Sequence, residues 1–266
     1  MNLFELDRGD AALVIDVPHA GTRVPSSIAS AMEPAAGALP DTDWHVDKLC
    51  AFAGDAGATL MVATHSRYVV DLNRDPGGAV LYAGADNTEI VPTRTFDNAP
   101  IWRAGREPGR DEVAERTATY FTPYHATLAA EIERVKARHG YAVLLDAHSI
   151  RSHVPRFFAG RLPDLNLGTA DGRSAEAGLV GVATRVLASD ARFSSIVDGR
   201  FKGGWITRHY GRPAAQVHAL QLETAQCAYM DETPPWPWDA ARAAPFAAVL
   251  RRLVDALCAW RPQAVR

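Results

Sequence analysis

The sequence predicts an α/β fold, and three observations carry that prediction. Apolar runs of strand length alternate with longer amphipathic segments. Three of these runs lead into side chains that bind metals or move protons: residues 13–17 into Pro18-His19, residues 142–145 into Asp146-Ala147-His148, and residues 217–222 into Glu223. With 266 residues, 47% hydrophobic and 22% charged, the chain can bury a large core, and a single domain over residues 1–266 is the economical organisation.

Taken in chain order, strands are expected at 13–17, 59–63, 68–72, 141–146, 194–197 and 217–223, each a short apolar run bounded by turn residues. The first helix is expected at 43–56, with Asp43 as N-cap and Leu49, Phe52 and Ala53 on its apolar face. A longer one at 111–139 is expected to bend or break at Pro123, whose ring excludes a regular helix interior. Two more follow, at 174–189 with Ser174 as N-cap, and at 239–260 with Phe246, Leu250, Leu253 and Leu257 along one stripe. Residues 79–110, 156–173 and 198–211, rich in glycine, arginine and aromatics, read as surface excursions; loops of this length tend to carry function.

Composition excludes several classes. A net charge of −3 gives no basis for binding nucleic acid or a membrane surface, and the basic residues of 103–116 are interleaved with acids. Cys50, Cys227 and Cys258 contain no Cys-x-x-Cys pair, which argues against a disulfide framework and for a reducing compartment. Glu5, Asp7, Arg8 and Asp10 interrupt any leader-like pattern, and no uncharged stretch is long enough to span a bilayer, so a cytoplasmic protein is expected.

In an open α/β sheet, ligands gather beyond the carboxyl ends of the strands. Two histidines and a glutamate delivered to that edge are the parts of a zinc hydrolase. His148 closes a nearly all-apolar strand, where an ionisable side chain is costly unless it is compensated. Asp146 either orients that imidazole or caps the turn. Glu223 ends another core strand, an environment that raises a carboxyl's pKa towards acid–base use. His218, five residues earlier, faces the other side of the sheet and reads as structural. Asn73-Arg74 offers an amide and a planar guanidinium for a substrate carboxylate, or else Arg74 forms a turn pair with Asp71. Arg67 suits either role, and Arg208, after Gly203-Gly204, is a second cationic candidate.

Several segments resemble, in order and combination, the N-formylglutamate amidohydrolase family. They are Val17-Pro18-His19-Ala20-Gly21, Asp41-Thr42-Asp43-Trp44-His45-Val46-Asp47, Ser66-Arg67-Tyr68-Val69-Val70-Asp71-Leu72-Asn73-Arg74-Asp75-Pro76, Asp146-Ala147-His148-Ser149, Lys202-Gly203-Gly204-Trp205-Ile206-Thr207-Arg208-His209-Tyr210 and Leu220-Gln221-Leu222-Glu223. The resemblance implies a central mixed, twisted sheet flanked by helices, related to the zinc carboxypeptidases and aspartoacylase. It implies hydrolysis of N-formyl-L-glutamate to formate and L-glutamate in histidine degradation, or, as the alternative, zinc-dependent cleavage of another N-acyl amino acid or short peptide.

Through the same resemblance His19 is similar to the first zinc histidine, His148 to the distant one, and Glu223 to the catalytic glutamate. Asn73 and Arg74 resemble the pair that holds a substrate carboxylate; on charge alone, Arg208 is expected at the other carboxylate and Arg67 at the oxyanion. The related zinc enzymes complete their ligand set with a glutamate three residues after the first histidine. Thr22 stands there in this chain, so the third ligand must come from elsewhere. Asp47 is the expected ligand, with Asp43 and His45 as rivals. One Zn²⁺ is the expected cofactor, although iron, cobalt or manganese suit similar donors. The expected partner is a small dicarboxylate substrate.

Overall fold

The computed structural model describes residues 2–81, 84 and 86–263, so part of the 79–110 excursion lies outside the described residues. Seven strands form one mixed sheet: β1 (Phe4–Asp7), β2 (Leu13–Val17), β3 (Thr59–Ala63), β4 (Ala142–Ile150), β5 (Leu165–Gly168), β6 (Ser195–Val197) and β7 (Val217–Ala225). Their order across the sheet is β1-β3-β2-β4-β7-β5-β6. The central four, β3, β2, β4 and β7, run parallel, and β1 and β5 are antiparallel to their inner neighbours. The carboxyl ends of β2, β4 and β7 therefore meet along one edge.

β4 and β7 are buried at every position, as expected for parallel strands covered on both faces. On one face Leu145, Ala147 and Leu222 pack against Leu49 of α2 (Val46–Cys50) and Leu253 and Val254 of α7 (Ala240–Ala259). On the other, Asp16 and Asp146 meet Tyr124 of α4 (Thr122–His139) and Thr207 of α6 (Trp205–Tyr210). With a side-chain period of two, Asp146 and His148 share this second face, as do Gln221 and Glu223. Polar groups are thus confined to one face at one end of an otherwise apolar sheet.

Five expected strands form, β4 and β7 being longer than expected; the sixth, 68–72, does not. Residues 67–69 instead form a turn closed by Val69 N–H donating to the Ser66 carbonyl. β3, the strand this run follows, already has β1 and β2 on its two sides, so the run has no place beside it. Its apolar residues Tyr68 and Val69 fill a second cluster with Met32, Ile101 and Trp102.

The expected helix at 43–56 begins later. After the short helix α1 (Ser26–Ala29), His45 takes a left-handed conformation (φ 63°), α2 starts at Val46, and a 3₁₀ segment completes the run. The 111–139 helix splits into α3 (Arg110–Arg116) and α4, joined by a widened turn at Thr117–Phe121. That widening falls where the Pro123 ring would otherwise strike the carbonyl four residues back. Ser174 does not cap its helix, α5 (Ala177–Leu187); its hydroxyl donates to the Ala219 carbonyl. Asp239 does cap α7, accepting from the backbone N–H groups of Ala241 and Arg242. No helix among the described residues is long and apolar enough to cross a membrane.

Candidate metal centre and active site

His19 leaves β2 through Pro18, and Gly21 holds the following turn tight against the 64–65 backbone. A Cβ at Gly21 would lie 2.5 Å from the His65 nitrogen. His148 belongs to β4, and Asp43 sits in the loop ahead of α2. These three residues, all buried, bring donor atoms within 4.8 Å of one another, and they are the one such group among the described residues. Asp43 Oδ2 lies 2.9 Å from His148 Nδ1 and 3.8 Å from His19 Nδ1.

The outward nitrogens are equally ordered. His19 Nε2 is 2.8 Å from Asp71 Oδ1, and His148 Nε2 is 2.7 Å from Asp146 Oδ1. A carboxylate on the far nitrogen fixes the tautomer of a metal-binding imidazole and leaves the near nitrogen's lone pair for the ion. His19 Nδ1 is buried without a hydrogen-bond partner. Such an orphan is costly in a folded protein unless it serves a ligand. One carboxylate and two imidazoles are borderline donors that suit zinc and its divalent neighbours. The residues present therefore fit a metal ion.

The electrostatics agree. Burial and the nearby Arg67 charge hold His19 below its usual range, hence neutral as a ligand must be. Burial alone would raise Asp43, but the His148 hydrogen bond and the charges of His19, His148 and Arg67 outweigh it and hold the carboxylate ionised. Burial opposes charge on His148 too, yet Asp146 and Asp43 overcome it, so in the metal-free chain this imidazole keeps its proton.

Glu223 stands directly across from His148 in the β4–β7 register. It is buried beside the metal group and accepts a 3.3 Å hydrogen bond from Gln221. Burial first, and then the charges of Asp43 and Asp146, push its carboxyl up to about 8, against the pull of His148 and Arg67. One cleft is lined by His19, Asp43, His148 and Glu223 together with Arg67, Arg74 and Arg200.

A model of the N-formylglutamate amidohydrolase family matches residues 11–230. The chain belongs to that family. An N-formylglutamate deformylase of Pseudomonas aeruginosa is 48% identical over 253 residues, 95% of each chain. One from Pseudomonas putida is 44% identical over 253 residues, covering 95% of this chain and 94% of that one. Among solved structures, an N-formylglutamate amidohydrolase from Ralstonia eutropha superposes with a TM-score of 0.79 at 29% identity, over 97% of this chain and 96% of the other. Family membership makes the chain an amidohydrolase and agrees with the cleft just described.

Within this family site, several sequence expectations change. Asp47 is exposed on α2 and outside the metal group; Asp43 stands there instead. The reason is the left-handed turn at His45, which starts the helix three residues after Asp43. Its carboxylate is thereby free to accept from Arg67, from His148 and from the Ser149 backbone N–H. His45 itself points away, its Nε2 bonded to the Trp236 carbonyl. Asn73 lines the cleft, but its amide braces the scaffold. Nδ2 donates to Asp146, and Oδ1 accepts from the Ile206 backbone N–H at 2.8 Å. Gly204 permits that approach, since a Cβ there would lie 2.5 Å from the Asn73 amide.

Arg74 lines the same cleft, bonded through Nε to Thr88. Arg208 does not line it. It borders an adjoining depression with Arg74, Asp75 and Trp205, its Nε turned back to the Gly203 carbonyl. Arg67 lies in the cleft wall, gripping Asp71 through Nε and Nη2 and reaching Asp43 through Nη1. Asp71 thus pairs with Arg67 and His19, not in the turn pair with Arg74 that its position suggested. His218 is buried on the opposite face, bonded to the Glu176 backbone N–H.

Asp71 was not singled out by sequence reasoning as His19's partner. The signal was present in Arg67 at i−4 and in an aspartate within a buried run, but its partner lies 52 residues away. Asp16, buried against Tyr124 and close to Asp146, carried no local signal beyond its place in β2.

Proposed function

We propose that this chain hydrolyses N-formyl-L-glutamate to L-glutamate and formate, using one divalent metal ion, zinc by its donor set, held by His19, Asp43 and His148. The observation that carries this reading is a three-donor metal group beside a buried glutamate, in register on the neighbouring strand, whose carboxyl is pushed up to about 8. A bound zinc ion would supply a Lewis acid that polarises the formyl carbonyl and makes water more acidic.

The chain's own residues account for the proton path. As a water oxygen bonds to the formyl carbon, Glu223 takes its proton, and as the C–N bond breaks Glu223 returns that proton to the departing nitrogen. In the metal-free site this carboxyl is pushed up to about 8; a bound cation would lower it, towards the range in which it can both take up a proton and give it back. Arg67, fixed in the cleft wall, adds positive potential where the oxyanion develops. Arg74 offers a planar fork to one substrate carboxylate, and Asn73 keeps the turn that presents it. The partner of this site is accordingly a small dicarboxylate.

Two broader readings accompany this one. A metal group at the carboxyl edge of a mixed sheet supports kinship with the zinc carboxypeptidases and aspartoacylase. Three free cysteines support a reducing, cytoplasmic setting.

The test is direct. Metal-replete protein given N-formylglutamate should release formate and glutamate in equal amounts, followed by proton NMR. A chelator should abolish the reaction and added zinc restore it. Metal-replete protein that leaves the substrate intact refutes the proposal.

A further inference from the structure

We propose that Arg200, a residue the family motifs do not single out, anchors the side-chain carboxylate of the substrate and sets the enzyme's preference for an acidic N-formyl amino acid. This inference rests on the reading of the site as an N-formylglutamate hydrolase. Three guanidinium groups line the cleft, from Arg67, Arg74 and Arg200. Arg67 is bonded to Asp71 and Asp43, with Asp41 nearby, and is fixed beside the metal group, away from a position for a second carboxylate. Arg74 and Arg200 come from different segments of the chain, one following the 67–69 turn and the other following β6.

Substrate chemistry tells the two apart. In N-formylglutamate the main-chain carboxylate is borne on the carbon bonded to the reacting nitrogen, whereas the side-chain carboxylate lies three carbons further out. Arg74 is bonded through Nη1 to the carbonyl of Asn73, and the Asn73 amide lies 2.8 Å from His148 Nε2. Arg74 is thus one residue from a side chain that touches the metal-binding His148, and suits the nearer carboxylate. Arg200 is held by its Nε donating to the Phe157 carbonyl at 2.5 Å. Its guanidinium carbon lies 5.9 Å from the Phe157 ring centre and 5.3 Å from that of Phe201. Phe157 and Phe201 also line the cleft, so Arg200 stands beside an apolar sleeve for methylenes. Aromatic flanks limit the rotamers of a long side chain and exclude water, which strengthens a charge-assisted bond to an anion. The loop carrying Arg200 is fixed at its start, where Asp198 accepts from the Thr169 backbone N–H and hydroxyl.

The experiment compares kcat/KM for N-formylglutamate and for its neutral isostere N-formylglutamine in wild type, R200M, R200K and R208M. Arg200→Met should lower kcat/KM for formylglutamate by roughly 30- to 100-fold, chiefly through KM, while changing formylglutamine by less than about threefold. Arg200→Lys should recover part of the discrimination by charge alone. Arg208→Met should preserve it. Equal losses on both substrates in R200M, no loss on either, or collapse of discrimination in R208M would each overturn the assignment. Formylglutamine turnover serves as the folding control. A wild-type protein that releases formate from neither substrate overturns the underlying hydrolase reading, an outcome distinct from a competent enzyme indifferent to Arg200.

Discussion

Replacing Glu223 by glutamine should disable the enzyme while stabilising its metal-free fold, and both effects follow from one buried carboxyl. Glutamine matches glutamate in shape, so the change removes the ionisable group and little else. In the metal-free fold the Glu223 carboxyl titrates near 8, because burial and the charges of Asp43 and Asp146 disfavour its ionised form; in the unfolded chain it titrates near 4.5. The sign follows from proton uptake. Between these values the folded state holds a proton that the unfolded state has released, so wild-type stability falls as pH rises through that window. At about 1.4 kcal/mol per tenfold, the wild-type fold carries a cost on the order of 3 kcal/mol at pH 7, little at pH 4.5, and a maximum at and above pH 8. Denaturant unfolding of chelator-treated proteins, at several pH values from 4.5 to 8, should show E223Q increasingly the more stable as pH rises. Turnover on metal-replete protein should fall by about 10²- to 10⁴-fold, the usual worth of a general base, with metal content unchanged. A variant whose stability follows the wild-type pH slope, or that keeps near-normal turnover, refutes the reasoning.

Two further outcomes test the metal centre. Asp43→Asn should lower zinc affinity by more than about 100-fold whereas Asp47→Asn should leave it unchanged, as read by chelator competition, because the first carboxylate faces both imidazoles and the second faces solvent. Zinc binding to E223Q, which lacks the proton that Glu223 holds in the metal-free fold, should release one proton between pH 6.5 and 7.5, not two. His148, raised by Asp146 and Asp43, still holds a proton that the ion displaces, whereas His19, lowered by burial and Arg67, has already lost its own. Calorimetry in buffers of different ionisation enthalpy counts these protons, and a count of zero or two contradicts the assignment.

His19, His148 and Glu223 were legible in the sequence because each ends an apolar run, and an ionisable group in that place signals either a cost or a function. Asp43 was hidden by an equally sound local rule, since an aspartate ahead of a helical pattern reads as an N-cap. Only the left-handed turn at His45, which delays the helix to Val46, cancels that rule, and nothing in the residues 41–47 announces it. The run 68–72 has a strand's composition, but pairing depends on a vacant edge, which is a property of the whole sheet. The short strands β1 and β5 escape notice for the converse reason. Four residues such as Leu165-Asn166-Leu167-Gly168 carry too little pattern, and the edge of β7 gives them their conformation. Arg200 and Arg208 lie on glycine-flanked segments of similar composition, and only the path of the chain separates the one inside the cleft from the one beside it.

The arrangement of carboxylates explains how so many buried charges coexist at one sheet edge. Asp71 serves two neighbours at once, fixing the His19 tautomer through Oδ1 and gripping Arg67 through Oδ2. Asp43 repeats the device, sharing Arg67 through Oδ1 and facing the imidazoles through Oδ2. One arginine therefore balances two carboxylates that would otherwise repel each other, and its own charge presses His19 towards the neutral form a metal needs. Among the described residues no arginine is bonded to Asp146. Its compensation comes from His148, from the Asn73 amide and from the Thr207 hydroxyl. Behind it Asp16 accepts from the Tyr124 hydroxyl and is pushed well above its usual range by burial and by Asp146, which disfavours its charge. The negative charge of this layer is thus limited to what the histidines, Arg67 and an incoming cation can balance. Among the described carboxyls that line the cleft, Glu223 is the one bonded to no cationic side chain, which is the condition for a group that must both take up and give back a proton.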